Sequence, residues 1–157
     1  MKEIIFILIF YTMLPSWRES TDKLRYVEYL SEKIVFWSRY AEPRLDPIFV
    51  MTLIQLESGY DSEKINKNGK ATGLMQIMSN GVANFGYSQQ ELLNIDKNLI
   101  AGISHLQQGI KQCGNNYKHL YGWYRSKGNC KNWSQRDRYF WQTYKKNIEL
   151  SIKTRRY

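Results

Sequence analysis

Asp46-Pro47-Ile48-Phe49-Val50-Met51-Thr52-Leu53-Ile54-Gln55-Leu56-Glu57-Ser58-Gly59 decides how this chain is read. Between Asp46 and Asp61 the one charged residue is Glu57, and the ten residues before it are almost wholly apolar. Such a run reads as a helix buried on most sides. Asp46 suits the N-cap, Pro47 the first helical position and Gly59 the C-terminal stop. Glu57 then occupies the last turn. The helix carbonyls present partial negative charge there, and apolar neighbours desolvate the site, so both disfavour the ionised carboxylate. A carboxyl group that holds its proton is what a general acid supplies. The competing reading is a helix-end glutamate reaching into water, and the rest of the chain decides between the two.

Upstream, residues 39–46 form a connector. Before it, residues 20–40 read as an amphipathic helix capped by Ser20 or Thr21, with Leu24, Val27, Leu30 and Ile34 at helical spacing. At the front, Lys2 and Glu3 precede an apolar run from Ile4 to Leu14. The run is too short to span a bilayer comfortably and matches the core of a signal peptide. No small-x-small cleavage site follows, only Pro15-Ser16-Trp17. A cleaved signal is the first expectation, a retained anchor the second and a buried N-terminal helix the third. Residues 1–19 are therefore set apart from a domain over 20–157.

Downstream of Gly59 the chain turns polar. Asn68-Gly69 signals a tight turn, and Gly73-Leu74-Met75-Gln76-Ile77-Met78 follows, so residues 61–78 read as an irregular loop with a small hairpin. Ser88-Gln89-Gln90-Glu91 is a capping-box pattern that opens a short helix. Leu99, Ile103, Leu106 and Ile110 make a helical stripe ended by Gly114. Residues 117–125 read as a further short helix, stopped near Gly128. The last helix runs from Ser134 to Ile152, capped by Ser134 with Asp137. Trp141, Tyr144 and Ile148 share one face, and Lys153 to Arg156 place cations at the C-terminal end. The expected fold class is mainly α, with a small β-hairpin beside the Glu57 helix.

At 157 residues the chain is most simply one domain with a real core. Aromatic residues make up 15%, a content that suits sugar rings or nucleobases as well as core packing. A net charge of +9 favours polyanions such as nucleic acid, anionic lipid or an acidic wall polymer. No helix-turn-helix, zinc-finger or RNA-binding signature is present, so no nucleic-acid partner is expected. Cys113 and Cys130 are the only cysteines. With an exported N-terminus they form one disulfide; in a reducing compartment they are two free thiols. With His105 and His119 they lack ligand spacing, so no metal is expected.

The order of motifs resembles the soluble lytic transglycosylase (SLT) domain, a family related to goose-type lysozyme. Glu57-Ser58-Gly59 is followed 16 residues after the glutamate by Gly73-Leu74-Met75-Gln76-Ile77, then by Asn98 and Gly102 in a helix. The resemblance covers about Asp46 to Ile148. It implies a lysozyme-like fold and cleavage of peptidoglycan between N-acetylmuramic acid and N-acetylglucosamine, with no cofactor. Glu57 matches the family's single acid/base, and Ser58 the residue that positions the glutamate or the substrate. Met75 and Gln76 match the hairpin wall that contacts the glycan, whereas Asn98 and Gly102 match structural positions. The family's Ala-Tyr-Asn-Ala-Gly stretch is represented here by Trp123-Tyr124-Arg125-Ser126, with Tyr124 kept and Arg125 in place of the asparagine. A family tyrosine near the start of the last helix hydrogen-bonds the glutamate; Tyr139 fits by position and Tyr144 is the alternative.

Most glycosidases use two carboxylates. Here Asp61 and Glu63, in the next loop, are the nearest others in sequence and read as surface charges. One carboxyl group suffices when the N-acetyl group assists and the muramic 6-hydroxyl attacks, leaving a 1,6-anhydro end; attack by water instead would make a muramidase. A non-catalytic glycan-binding or assembly protein on the same fold is the rival from another class. The implied location is exported, periplasmic or in the cell envelope. A secretion, conjugation or phage apparatus and general wall turnover are the open settings.

Overall fold

The run after Asp46 forms a helix that three others pack around. The computed structural model describes residues 1–12, 21–126, 129–130 and 134–154. The elements are α1 (Lys2–Thr12), α2 (Thr21–Tyr40), α3 (Pro47–Glu57), β1 (Ala71–Thr72), β2 (Ile77–Met78), α4 (Ile95–Cys113), α5 (Tyr117–Arg125) and α6 (Gln135–Thr154). The expected Ser20 cap, the Pro15-Ser16-Trp17 segment, the Gly128 stop and the Arg155-Arg156 end of the tail lie outside the described residues. The protein is mainly helical with one small antiparallel hairpin.

The Asp46 side chain accepts a hydrogen bond from the Ile48 N–H, capping α3, and Pro47 sits in the first turn, where its missing N–H costs nothing. Every residue from Pro47 to Ile54 is buried. Phe49 packs against the rings of Tyr117, Phe140 and Tyr144 at centroid distances of 4.9, 5.0 and 5.5 Å. Helices α1, α2 and α6 surround α3.

The part of the apolar run that lies in α1 is packed as a core helix, the third of the expected readings, and Met13 and Leu14 lie outside the described residues. Ile5, Leu8 and Ile9 of α1 are buried against the rest of the core, and Lys2 pairs with Glu28 and Glu32 of α2. No helix among the described residues is long and apolar enough to cross a membrane.

Strand β1 pairs with β2 with Ala71 opposite Met78 and Thr72 opposite Ile77. The capping box forms, with the Ser88 N–H donating to Glu91 Oε2 at 3.0 Å, but it opens only a 3₁₀ turn, Glu91–Leu93. Asn94 interrupts that turn because its side chain caps α4, accepting from the Lys97 N–H. The α4 stripe of Leu99, Ile103, Leu106 and Ile110 is buried, and Gly114 ends the helix with φ +74°. Cys113 and Cys130 are joined by a disulfide with their Cα atoms 5.5 Å apart.

Helix α6 departs from the expected face. Its buried stripe is Asp137, Phe140, Tyr144, Asn147 and Ser151, with Trp141 and Ile148 only partly buried beside it. Three of the five are polar, so apolar spacing alone misplaces the face. Asn147, for example, is accommodated by donating to Thr52 Oγ1 at 2.9 Å.

Candidate active site

Glu57 is the last residue of α3, and the turn after it is fixed by its own backbone. The Ser58 N–H donates to the Ile54 carbonyl at 3.0 Å. The Ser58 hydroxyl donates to the same carbonyl at 3.1 Å and accepts from the Tyr60 N–H at 3.1 Å. Gly59 and Tyr60 both adopt positive φ, +67° and +69°. That conformation suits glycine and strains a tyrosine. Tyr60 is held in it by burial and by the Tyr26 hydroxyl, which donates to the Tyr60 carbonyl at 2.6 Å. Ser58 thus shapes the helix end that carries the glutamate, with its hydroxyl committed to backbone. The Lys64 ammonium donates to the Glu57 carbonyl at 2.7 Å, a cation where the helix dipole favours one.

Three helices converge on the Glu57 carboxylate, whose side chain is 12% exposed. Tyr121 of α5 donates its hydroxyl to Oε1 at 3.0 Å. Arg136, in the first turn of α6, donates from Nη2 to Oε2 at 3.2 Å and from Nε to the Tyr121 hydroxyl at 3.2 Å. The Tyr121 ring is fully buried and stacks on Phe140, with centroids 4.0 Å apart and planes 9° from parallel. Burial pushes the Tyr121 hydroxyl well above its ordinary range, and the negative charge of Glu57 adds to this. Tyr124 is raised the same way, by burial first and then by the charges of Glu57 and Tyr121. Both hydroxyls therefore stay protonated as donors through the neutral range.

The hairpin stands beside this group and is tied to it. Lys64, whose ammonium holds the Glu57 carbonyl, accepts at its own carbonyl from the Gly73 N–H at 2.8 Å and from Gln76 Nε2 at 3.0 Å. The Tyr124 hydroxyl donates to the Met75 carbonyl at 2.7 Å. Asn98 of α4, itself buried, accepts from the Met75 N–H at 2.8 Å and donates to the Thr72 and Leu92 carbonyls at 2.9 and 2.7 Å. The approach is so close that a Cβ on Gly73 would lie 2.2 Å from Asn98 Nδ2, and one on Gly102 would lie 2.3 Å from the Met75 sulfur. These contacts explain the residue types at Gly73, Asn98 and Gly102.

Several expectations are corrected by this arrangement. Neither Tyr139 nor Tyr144 reaches Glu57. Tyr139 falls off the buried stripe of α6 and is 59% exposed, and Tyr144 donates to Asp46 Oδ2 at 2.6 Å, at the opposite end of α3. The first aromatic residue of α6 turned inward is Phe140, and the hydroxyl on the glutamate comes from Tyr121 stacked upon it. Met75 is 0% exposed and packs on Gly102, so its side chain backs the wall and offers no surface to a glycan. Gln76 spends its amide donors on the Lys64 and Gly73 carbonyls. Arg125, where the family has asparagine, turns to Ser134 Oγ at 2.8 Å and Asp137 Oδ2 at 3.3 Å, pinning the first turn of α6. Burial pushes the Asp137 carboxyl up, but the Ser134 hydroxyl, the Ser134 N–H and Arg125 outweigh it and hold it below its ordinary range. Asp61 accepts from the Glu63 N–H, and the two line a cavity of about 310 Å³ with Asp22 and Tyr26, away from Glu57. Among the described residues no hydrogen bond joins Glu57 to a second carboxylate.

Tyr121 and Arg136 are the two residues of this group that sequence reasoning missed. Tyr121 lies one helical turn before Tyr124, so the two share a face, a signal available in the sequence. Arg136 places a cation in the first turn of a helix, where the dipole disfavours it, and such a misfit marks a residue held for another reason. The family model described as the transglycosylase SLT domain matches residues 36–147, which takes in Glu57, Tyr121 and Arg136. No curated protein matches the chain.

Proposed function

Starting from a chain that belongs to the transglycosylase SLT family, we propose that it is a lytic transglycosylase of peptidoglycan in which Glu57 is the sole acid/base. The observation that carries this reading is a nearly buried carboxyl group at a rigid helix end, beside the hairpin, with no carboxylate hydrogen-bonded to it among the described residues. Glu57 gives its proton to the glycosidic oxygen as the bond from the muramic anomeric carbon breaks. The substrate N-acetyl oxygen stabilises the positive charge developing there. The Glu57 carboxylate then takes the proton of the muramic 6-hydroxyl, and that oxygen closes on the anomeric carbon. The proton removed restores the acid, and no water is consumed. Tyr121 orients the carboxyl group throughout, because its hydroxyl remains a donor.

The substrate puts the site of action in the periplasm or cell envelope, and a disulfide between Cys113 and Cys130 suits such an oxidising compartment. Local wall opening for a secretion, conjugation or phage apparatus and wall turnover both accord with a domain of this size.

Mass spectrometry of products from purified peptidoglycan tests the reading, with Glu57→Gln as control. Products ending in 1,6-anhydromuramic acid are expected from the wild type alone, since an amide is no acid. Products one water heavier would make the protein a muramidase. Absence of product from both forms would leave a glycan-binding or assembly role.

A further inference from the structure

Arg136 stands in the way of the acid it accompanies. Glu57 Oε2 accepts from its guanidinium and Oε1 from Tyr121, so a donor faces each oxygen. A glycosidic oxygen that takes the Glu57 proton must approach one of these two oxygens, each of which already meets a donor. Tyr121 is buried and Arg136 is half exposed, so the guanidinium is the donor that can yield its place on Oε2 to the substrate.

The geometry lets it leave. The Arg136 side chain is 53% exposed, while its partner is 12% exposed, so the guanidinium covers the carboxylate from the solvent side. Among the described residues Glu57 engages Nη2 and Tyr121 engages Nε, and a guanidinium carries five N–H donors in a planar fork. The backbone beneath stays put, because Arg125 and Ser134 clamp the neighbouring Asp137. A swing of Arg136 is thus a side-chain movement on a fixed helix start. What best replaces one carboxylate on such a fork is another carboxylate.

We propose that Arg136 is a specificity-determining residue that exchanges Glu57 for a carboxylate of the wall polymer, so that the acid is released only when an anionic muramyl unit occupies the cleft. The inference rests on the reading of Glu57 as the acid. The carboxylate comes either from the muramic lactyl group of peptide-free strands or from the stem peptide, and both present the same chemistry to the fork.

The test uses the full chain and two sets of glycan strands, peptide-bearing and peptide-stripped, each with carboxylates intact or converted to methylamides. Wild type should cut the intact form of at least one set with a kcat/KM about 10-fold or more above its amidated form, the range of a charge-assisted hydrogen bond. The set with the larger drop on amidation identifies the carboxylate. Arg136→Gln should cut intact and amidated strands alike, because nothing then reads the charge and nothing covers Glu57. Arg136→Lys, which keeps the charge without the fork, should recover part of the preference. Thermal melting checks that the half-exposed substitutions leave the fold in place. A preference that persists in Arg136→Gln, or a wild type indifferent to amidation, overturns the proposal. Wild type that releases no product from any strand overturns the reading of Glu57 instead.

Discussion

Removing one oxygen from Tyr121 and one from Tyr144 separates the two ends of α3. Tyr121→Phe keeps the ring on Phe140 and deletes the hydroxyl that donates to Glu57 Oε1 at 3.0 Å. A hydrogen bond to a charged group contributes about 1.5–3 kcal/mol, so losing it from the reacting carboxyl group should lower kcat by about 10- to 100-fold. The melting temperature should move little, because Glu57 keeps Arg136 as a partner. Tyr144→Phe deletes a hydroxyl of the same kind, bonded at 2.6 Å to the N-cap Asp46. It should cost about 1–2 kcal/mol of stability and leave kcat within about twofold, since that hydroxyl sits at the end of α3 opposite Glu57. For a chain of this size the melting temperature should fall by about 2–8 °C. Release of soluble muropeptides over time measures kcat, and calorimetry measures stability. If Tyr144→Phe lost the activity and Tyr121→Phe kept it, the assignment of the hydroxyl on Glu57 would be wrong.

Other perturbations test the supports. Asn98→Ala leaves the Met75 N–H and the Thr72 and Leu92 carbonyls without their partner, which should cost about 3–5 kcal/mol by denaturant unfolding. Leu8→Ala should cost about 2–5 kcal/mol if α1 is retained in the working protein. An unchanged stability, with an N-terminal mass showing residues 1–19 removed, would favour the cleaved signal. Asp137 has a folded-state pKa below its unfolded value, so its contribution is present above the ordinary aspartate value of about 3.9 and is lost as pH falls toward the folded value. Asp137→Asn should therefore lower stability at neutral pH and flatten its decline in acid. An unchanged acid limb would contradict the role given to that carboxylate.

The sequence was most informative where structure is local. The cap at Asp46, the Pro47 start and the Gly59 stop bounded α3, and the α4 stripe ended where Gly114 ends it. A hairpin was expected within 61–78 and forms there, but its turn is 73–76, whereas Asn68-Gly69 turns the chain between Ile65 and Thr72. Helices α5 and α6 were placed but not oriented. Tyr117, Tyr121 and Tyr124 sit at helical spacing on α5, so apolar pattern cannot say which hydroxyl meets the glutamate. The buried face of α6 carries Asp137, Asn147 and Ser151, which a hydrophobic stripe passes over. Glu57 was found because it stands alone in an apolar run. Its partners were not, because they arrive from 64 and 79 residues away.

Two strands of two residues cannot hold a shape by themselves. The hairpin borrows its rigidity from α4 through Asn98 and the Met75–Gly102 contact, much as a shelf depends on its bracket. The shelf and bracket are one mechanical piece, so the hairpin follows α4 when α4 shifts. A load on the hairpin would be felt along α4, whose last residue, Cys113, is anchored by the disulfide to Cys130. Selection for a stiffer or looser wall can therefore act on residues that never meet the glycan.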